Sequence, residues 1–234
     1  MTSGGRPGSG VAGPHVFVDD LEHLVLSEPD RHHLSVLRVR PGDPLTVSDG
    51  AGQWRAARFA DPLEPAGEIT FVARAQPAIT VVFAPVKGDR PEWVVQKLTE
   101  VGADTIVPLV ADRSVVVWPA ARIAHQLDRL RRISREAAMQ SRQCYLPEVA
   151  APLTFEEATA LDGACLAHPG GAAPSLARPT VLVGPEGGWS DLELDCGLPR
   201  VGLGPSVLRA ETAAVAAGVL LAALRSGLVH GHVG

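Results

Sequence analysis

The sequence predicts an α/β protein in which a small N-terminal β-barrel precedes a mostly parallel sheet covered by helices on both faces. Three observations predict it. Residues 16–73 read as short strands separated by turn-forming clusters, and from residue 79 onward strands and helices alternate. A hydrophobic fraction of 46% against 20% charged residues is the composition of a globular chain that buries a core. Aromatics contribute only 4%, so Leu, Val and Ala have to fill it.

In the first part, strands are expected at 16–18, 44–48, 54–59 and 68–73. Pro41-Gly42-Asp43, Asp49-Gly50-Ala51-Gly52 and Pro65-Ala66-Gly67 stand where strands must reverse, because glycine accepts positive φ and proline fixes φ for a turn. One helix, about Glu28 to Leu37, interrupts them. Ala75-Gln76-Pro77 reads as connecting chain. Beyond it come a β-branched strand at 79–83, a helix at 91–101 with Pro91 early and Gly102 as its stop, and a strand at 105–110. A long helix follows at 120–140, then a short helix at 154–161 and strands at 163–167 and 180–183. The last third gives loop 184–188, a helix from Ser190, a strand at 200–203, loop 204–210 and a closing helix. Alternation of this kind implies a sheet buried on both faces. The expected division is a disordered tail over 1–14, the barrel over 15–75, a linker over 76–79 and the second domain over 80–230.

Several function classes are disfavoured by composition. Cys144, Cys165 and Cys196 are an odd number with no C-x-x-C pair, which argues against a disulfide framework and a zinc site and points to a reducing compartment. No metal is expected; adjacent His32 and His33 lack partner ligands at chelating spacing. Met1 to Pro14 lacks the apolar stretch of a signal peptide, and the longest apolar run, Ala213 to Leu224, has 12 residues, where a bilayer needs about 20. A soluble cytoplasmic protein is the resulting expectation. The net charge of −5 disfavours indiscriminate nucleic-acid binding, so any such contact must come from local patches.

Two loops carry the strongest signal. Val183-Gly184-Pro185-Glu186-Gly187-Gly188 and Leu203-Gly204-Pro205-Ser206-Val207-Leu208-Arg209 each follow a short apolar strand and each open with Gly-Pro. In open α/β sheets ligands bind beyond the C-terminal ends of strands, where such loops lie. Neither loop is a P-loop or a G-x-G-x-x-G turn, so phosphate and dinucleotide readings lack their defining residues. Backbone donors and acceptors of this kind suit an adenosine moiety without a phosphate. The bland alternative is a pair of tight strand-to-helix turns.

V-L-V-G-P-E-G-G-W-S at 181–190 with L-G-P-S-V-L-R-A-E-T-A-A at 203–214 resembles the bacterial small-subunit (16S) ribosomal RNA uridine-N3 methyltransferases of the SPOUT superfamily. K-G-D-R-P-E-W at 87–93 leading into Q-K-L-T-E-V-G-A at 96–103 looks like that family's signature, and H-x-x-V-L-R at 33–38 followed by P-G-D at 41–43 resembles its PUA-like barrel motif. The resemblance spans about residues 14–228 in four ordered blocks. It implies a C-terminal SPOUT domain with a deep trefoil knot, S-adenosyl-L-methionine as cofactor, 16S ribosomal RNA as substrate within the small ribosomal subunit, and a homodimer. One departure lies after the long helix, where many members carry E-Q-[CS]-x-R and this chain has Met139-Gln140-Ser141-Arg142.

On that basis Arg209 is expected to stabilise charge on the uracil carbonyls, and Glu211 either takes the imide proton or orients the loop, against the alternative that both merely cap the last helix. Cofactor contacts are expected from Val183, Gly184, Pro185, Glu186, Gly187 and Gly188 of the first loop. The second loop and its helix would add Leu203, Gly204, Pro205, Val207, Leu208 and Thr212. Glu186 can equally cap the following helix. Local Arg excess nominates His33, Arg38, Arg55 and Arg58 of the barrel and Arg132, Arg135 and Arg142 of the long-helix region for RNA, with Arg122, Arg129 and Arg131 alongside. A solvated helix face is the alternative there. Another RNA methyltransferase of the same fold, acting on ribose 2′-hydroxyl or a different base, and a non-catalytic RNA-binding protein are the competing readings.

Overall fold

Short strands and tight reversals dominate the first part of the chain in the computed structural model, which describes Pro7 and residues 12–230; the tail expected over 1–14 lies mostly outside the described residues. The elements are β1 (His15–Phe17), α1 (Glu28–Val36), β2 (Pro44–Ser48), β3 (Gln53–Arg58), β4 (Glu64–Pro65) and β5 (Thr70–Phe71). Strand order is β1-β2-β3-β4, with β5 also on β3. β1 pairs β2 in parallel, and the other pairings are antiparallel. The strand expected over 68–73 shrinks to two residues for a physical reason: one edge of β3 is shared, β4 taking Ala57 and Arg58 while β5 takes Gln53 and Trp54.

Turn chemistry accounts for the reversal between β2 and β3. Gly50 and Gly52 hold φ of +73° and +108°, and a Cβ on Gly52 would stand 2.2 Å from the Tyr145 hydroxyl. Helix α1 starts at Ser27, whose hydroxyl accepts from the Asp30 amide, with Pro29 in the first turn. Leu34 packs against Val16, Leu45, Val47 and Leu63 in an apolar core that also takes Ala138 and Met139. Fully burying each such aliphatic side chain contributes about 1.5–3 kcal/mol. Buried beside them, His15 has both ring nitrogens engaged: Nδ1 lies 2.8 Å from Thr46 Oγ1, and Nε2 lies 3.1 Å from Ser48 Oγ and from the Gln143 carbonyl. A carbonyl only accepts, so Nε2 carries the hydrogen and Nδ1 accepts from the Thr46 hydroxyl.

The second part alternates. Its elements are β6 (Thr80–Phe83), α2 (Arg90–Val101), β7 (Thr105–Val110), α3 (Ala120–Gln140), β8 (Glu148–Val149), β9 (Leu153–Thr154), α4 (Phe155–Thr159), β10 (Ala164–Ala172), β11 (Thr180–Val183), α5 (Asp191–Leu194), β12 (Arg200–Val201) and α6 (Ala210–Arg225). Strand order is β12-β10-β11-β6-β7-β8, with β9 also on β7, and every pairing is parallel.

Successive residues of a strand face opposite sides. Val81, Ile106, Cys165 and Val181 therefore meet Leu98, Leu130 and Leu221 of α2, α3 and α6, whereas Val82, Val107, Leu166 and Leu182 meet Ala158 and Trp189 on the other side. Helices α2 and α6 approach closely at Gly218, where a Cβ would lie 2.6 Å from Leu98 Cδ2. α2 ends at Gly102 with φ +88°, the left-handed cap its sequence predicted. Arg225 at the end of α6 bonds Asp104, Gly102 O and Pro77 O, and Asp104 also receives the Ile79 amide at 2.8 Å.

The chain forms two compact units. One runs to Arg74 and adds Arg135–Leu146; the other comprises Ala75–Ser134 and the chain from Pro147. The last residues of α3 thus belong with the N-terminal strands. Met139, where the resemblance would put an acid, is 5% exposed in that unit's apolar core.

Candidate active site

Strands β6, β10 and β11 are neighbours and β12 flanks β10, so the loops after all four emerge along one edge of the parallel sheet. The loop after β11 is fixed by contacts on each side. Gly188 N donates to Pro185 O at 2.8 Å, closing a turn in which Gly188 has φ +70°. Gly184 packs under the Trp189 ring, where a Cβ would lie 2.9 Å away, and the Trp189 indole donates to Ala167 O at 2.9 Å. Ser190 and Glu193 form a capping box at the start of α5. Asp112 ties into that box twice, its amide donating to Glu193 and its carboxylate accepting from the Ser190 hydroxyl. Arg113 Nη1 donates to Gly187 O and Trp189 O.

The loop after β12 hangs from β10. Gly202 N donates to Ala172 O, and Gly204 has φ +153°. β10 runs past its expected end at 167 because Ala167 and Ala172 both register against Val201, leaving His168 to Gly171 as a bulge. Arg209 is the N-cap of α6, with no side-chain capping bond.

Between these loops lies a cavity of about 650 Å³, a size that takes a small-molecule ligand. Val183, Gly184, Pro185, Glu186 and Gly188 line it from the first loop, and Leu203, Gly204, Val207, Leu208 and Arg209 from the second. The two Gly-Pro turns do converge on one space. Gly187, Pro205 and Thr212 do not line it, and neither does Glu211, whose carboxylate lies 3.5 Å from Arg90 Nη1. Arg90, Trp189, Ser206, Ala210 and Ala213 complete the wall, together with Ala167, His168 and Pro169 at the end of β10 and Leu194 of α5. Sequence reasoning missed Arg90 although it stands in the K-G-D-R block, because only the sheet order sets the loop after β6 beside the loop after β11.

The fit to an adenosine-type ligand rests on the glycine-rich backbone, aliphatic side chains and indole of the wall, beside which stand the polar side chains of Arg90, His168, Glu186 and Arg209. Among the described residues no cluster of three or more His, Cys, Asp or Glu is placed to hold a metal. Burial pushes the Cys165 thiol up to about 11, which leaves it protonated at neutral pH.

The arginines nominated for RNA meet different fates. Arg55 donates to Leu21 O and Gly67 O, and Arg58 to Gly42 O. Arg135 bonds Asp30 and Phe17 O and lies 5.1 Å over the Phe17 ring; Arg142 bonds Gly13 O. Arg129 pairs with Glu92, and Arg131 with Asp128. Arg38, Arg122 and Arg132 are exposed, and His33 is half-buried.

A family model for the RNA methyltransferase domain matches residues 74–222, and one for the RNA methyltransferase PUA domain matches residues 26–64. The chain is 36% identical over 214 residues to ribosomal RNA small subunit methyltransferase E of Mycobacterium bovis, covering 80% of each. It is 31% identical to the Synechocystis protein of that name, covering 81% of this chain and 69% of the relative. Among solved structures, ribosomal RNA small subunit methyltransferase E of Neisseria gonorrhoeae bound to S-adenosyl methionine is 28% identical with a TM-score of 0.77, covering 92% of this chain and 98% of that one. A methyltransferase from Legionella pneumophila in complex with the same cofactor is 26% identical with a TM-score of 0.76, covering 91% and 98%.

Proposed function

Because the chain belongs to the RNA methyltransferase family and carries that family's PUA domain, we propose that it transfers a methyl group from S-adenosylmethionine to N3 of a uridine in 16S ribosomal RNA. The observation that carries this reading is the single cavity built by both Gly-Pro loops, with Arg209 in its wall. Relatives solved with S-adenosylmethionine and named for the small ribosomal subunit support the cofactor and the substrate. The uridine acceptor rests on the sequence resemblance, as do the trefoil knot, the homodimer and a cytoplasmic location.

When bound, S-adenosylmethionine supplies an electrophilic methyl, whose bond to sulfur breaks with the electron pair left on sulfur as the base nitrogen bonds the carbon. The protein's part is to hold the acceptor in line and to stabilise it as it loses its imide proton to water. Glycine-rich backbone of both loops would hold the adenosine portion: Gly188 has open space where a side chain would stand, and Gly184 lets the Trp189 ring pack against the loop. Arg209 faces the cavity and would bond a uracil carbonyl, sharing the negative charge of the imidate. Of the two tasks open to Glu211, orientation is favoured: its carboxylate ends on Arg90 and does not reach the cavity wall.

Calorimetry with S-adenosylmethionine, followed by nucleoside mass spectrometry of 16S RNA treated with the enzyme, tests the proposal. Micromolar binding and N3-methyluridine are expected; no binding, or a methyl group on ribose or another base, overturns it. Arg209→Ala should slow turnover about 10²–10³-fold while leaving cofactor affinity nearly intact.

A further inference from the structure

Arg90 reaches the cavity wall from the first turn of α2, and the proposed chemistry gives it no task. Its Nη1 donates to Glu186 Oε1 at 3.1 Å and lies 3.5 Å from Glu211 Oε1. Both contacts fall on one nitrogen. A guanidinium carries five N–H donors in a rigid planar fork, and neither Nε nor Nη2 of Arg90 meets an acceptor among the described residues. Arg90, a residue of the cavity wall, therefore keeps two donors that no acceptor among the described residues occupies.

The two carboxylates explain why Arg90 is held there. Glu186 comes from the first Gly-Pro loop and Glu211 from the first turn of α6, so Arg90 joins three segments of the wall. The Glu211 side chain is only 12% exposed, and its Oε2 is buried with no hydrogen-bond partner among the described residues. An acceptor left unmade in this way costs about 1–3 kcal/mol, so stability alone does not account for Glu211. Such a group calls for an explanation, and a role in holding Arg90 is one.

Arg209 lines the same cavity from the N-cap of α6, two residues before Glu211. Two guanidiniums and the positive end of a helix thus face one space, with Glu186 and Glu211 balancing them. A planar ring with carbonyls on both sides of an acidic N–H, turning anionic as it reacts, suits this pair. Resting on the uridine reading above, we propose that Arg90 is a further catalytic residue. Its Nε–Nη2 edge bonds one uracil carbonyl while Arg209 bonds the other, and Glu211 is the positioning residue that aims Arg90. The imide proton goes to water, as above, so Glu211 need not receive it.

Full-length Arg90→Gln and Arg90→Lys, both at a surface position outside the core, test this with calorimetry against S-adenosylmethionine and single-turnover methylation of saturating 16S RNA. Arg90→Gln should lose about 10²-fold in rate with the cofactor Kd within about threefold of wild type. Its rate should climb further than wild type's toward alkaline pH, where the base ionises unaided. Arg90→Lys should recover little of the loss, because a point charge does not replace a two-donor edge. Rate and cofactor affinity falling together would overturn the proposal, placing Arg90 on the cofactor's carboxylate; an unchanged rate would overturn it as well. The product nucleoside of the wild-type enzyme separates the two levels. A product other than N3-methyluridine removes the uridine reading, whereas slow transfer at intact Kd in Arg90→Gln still places Arg90 at the acceptor.

Discussion

Acidification should weaken the first unit through His15, by an amount the structure sets. Burial drives this imidazole from its ordinary 6.5 down to about 4; the bond to the Gln143 carbonyl opposes the shift, and the nearby Arg142 and Arg135 charges add to it. The folded state holds the neutral ring and the unfolded state takes up a proton below pH 6.5. Stability is therefore full above 6.5, falls as pH drops from 6.5 to about 4, and loses no more on this account below that. At about 1.4 kcal/mol per pH unit between the two values, the loss is on the order of 3 kcal/mol. His15→Gln keeps hydrogen-bonding capacity without a titrating ring, so comparing the two proteins cancels the carboxylates that titrate over the same range. Hydrogen exchange of the β2 and β3 amides, corrected for intrinsic rates, reports opening of this unit at each pH. Wild type should lose protection relative to His15→Gln between pH 6.5 and 4. Equal pH slopes in the two proteins would refute the assignment of a neutral, buried His15.

Three further outcomes are expected. Gly218→Val should cost about 2–3 kcal/mol in thermal unfolding, because its Cβ would meet Leu98 Cδ2 at 2.6 Å and Val101 Cγ2 at 3.3 Å in a packed core; an unchanged melting temperature would contradict the close α2–α6 approach. Gly171→Ala should cut S-adenosylmethionine affinity at least tenfold as measured by calorimetry, since its Cβ would come within 2.5–2.7 Å of the Val201 and Arg200 backbone, and backbone cannot yield as a flexible side chain does; wild-type affinity would show that the bulge does not shape the cavity. Asp104→Asn should destabilise by about 3 kcal/mol by leaving Arg225, only 11% exposed, without its carboxylate, with a chemical-denaturation midpoint like wild type's counting against it.

The sequence made the regular elements of the second unit legible because each has its own local cause. The β-branched runs at 105–110 and 180–183 and the long helix at 120–140 fall where expected. Pairing, in contrast, is set by distant residues. β4 and β9 are two residues long and exist only where β3 and β7 offer an edge. His168-Pro169-Gly170-Gly171 reads as a loop in isolation, yet register against Val201 holds it within β10. Charge is the hardest feature to read locally. Arg135 and Arg142 look like free cations in a run of arginines, and their acceptors, Asp30, Phe17 O and Gly13 O, lie more than 100 positions away in the sequence. Equally, nothing in residues 138–139 announces that their apolar side chains pack with the N-terminal strands.

The same distinction explains why the two loops were visible and Arg90 was not. Gly-Pro turns advertise themselves, because unusual backbone needs unusual residues. An arginine at the start of a helix looks like many others. Its meaning comes from adjacency: β6 lies beside β11, so the chain leaving β6 must begin α2 near the chain leaving β11, and Glu186 and Glu211 then find one guanidinium between them. Removing either carboxylate should change how firmly Arg90 is held before it changes how the cofactor binds. On the proposal above, Glu211→Gln is the sharper probe, because Glu211 lies outside the wall and would act through Arg90.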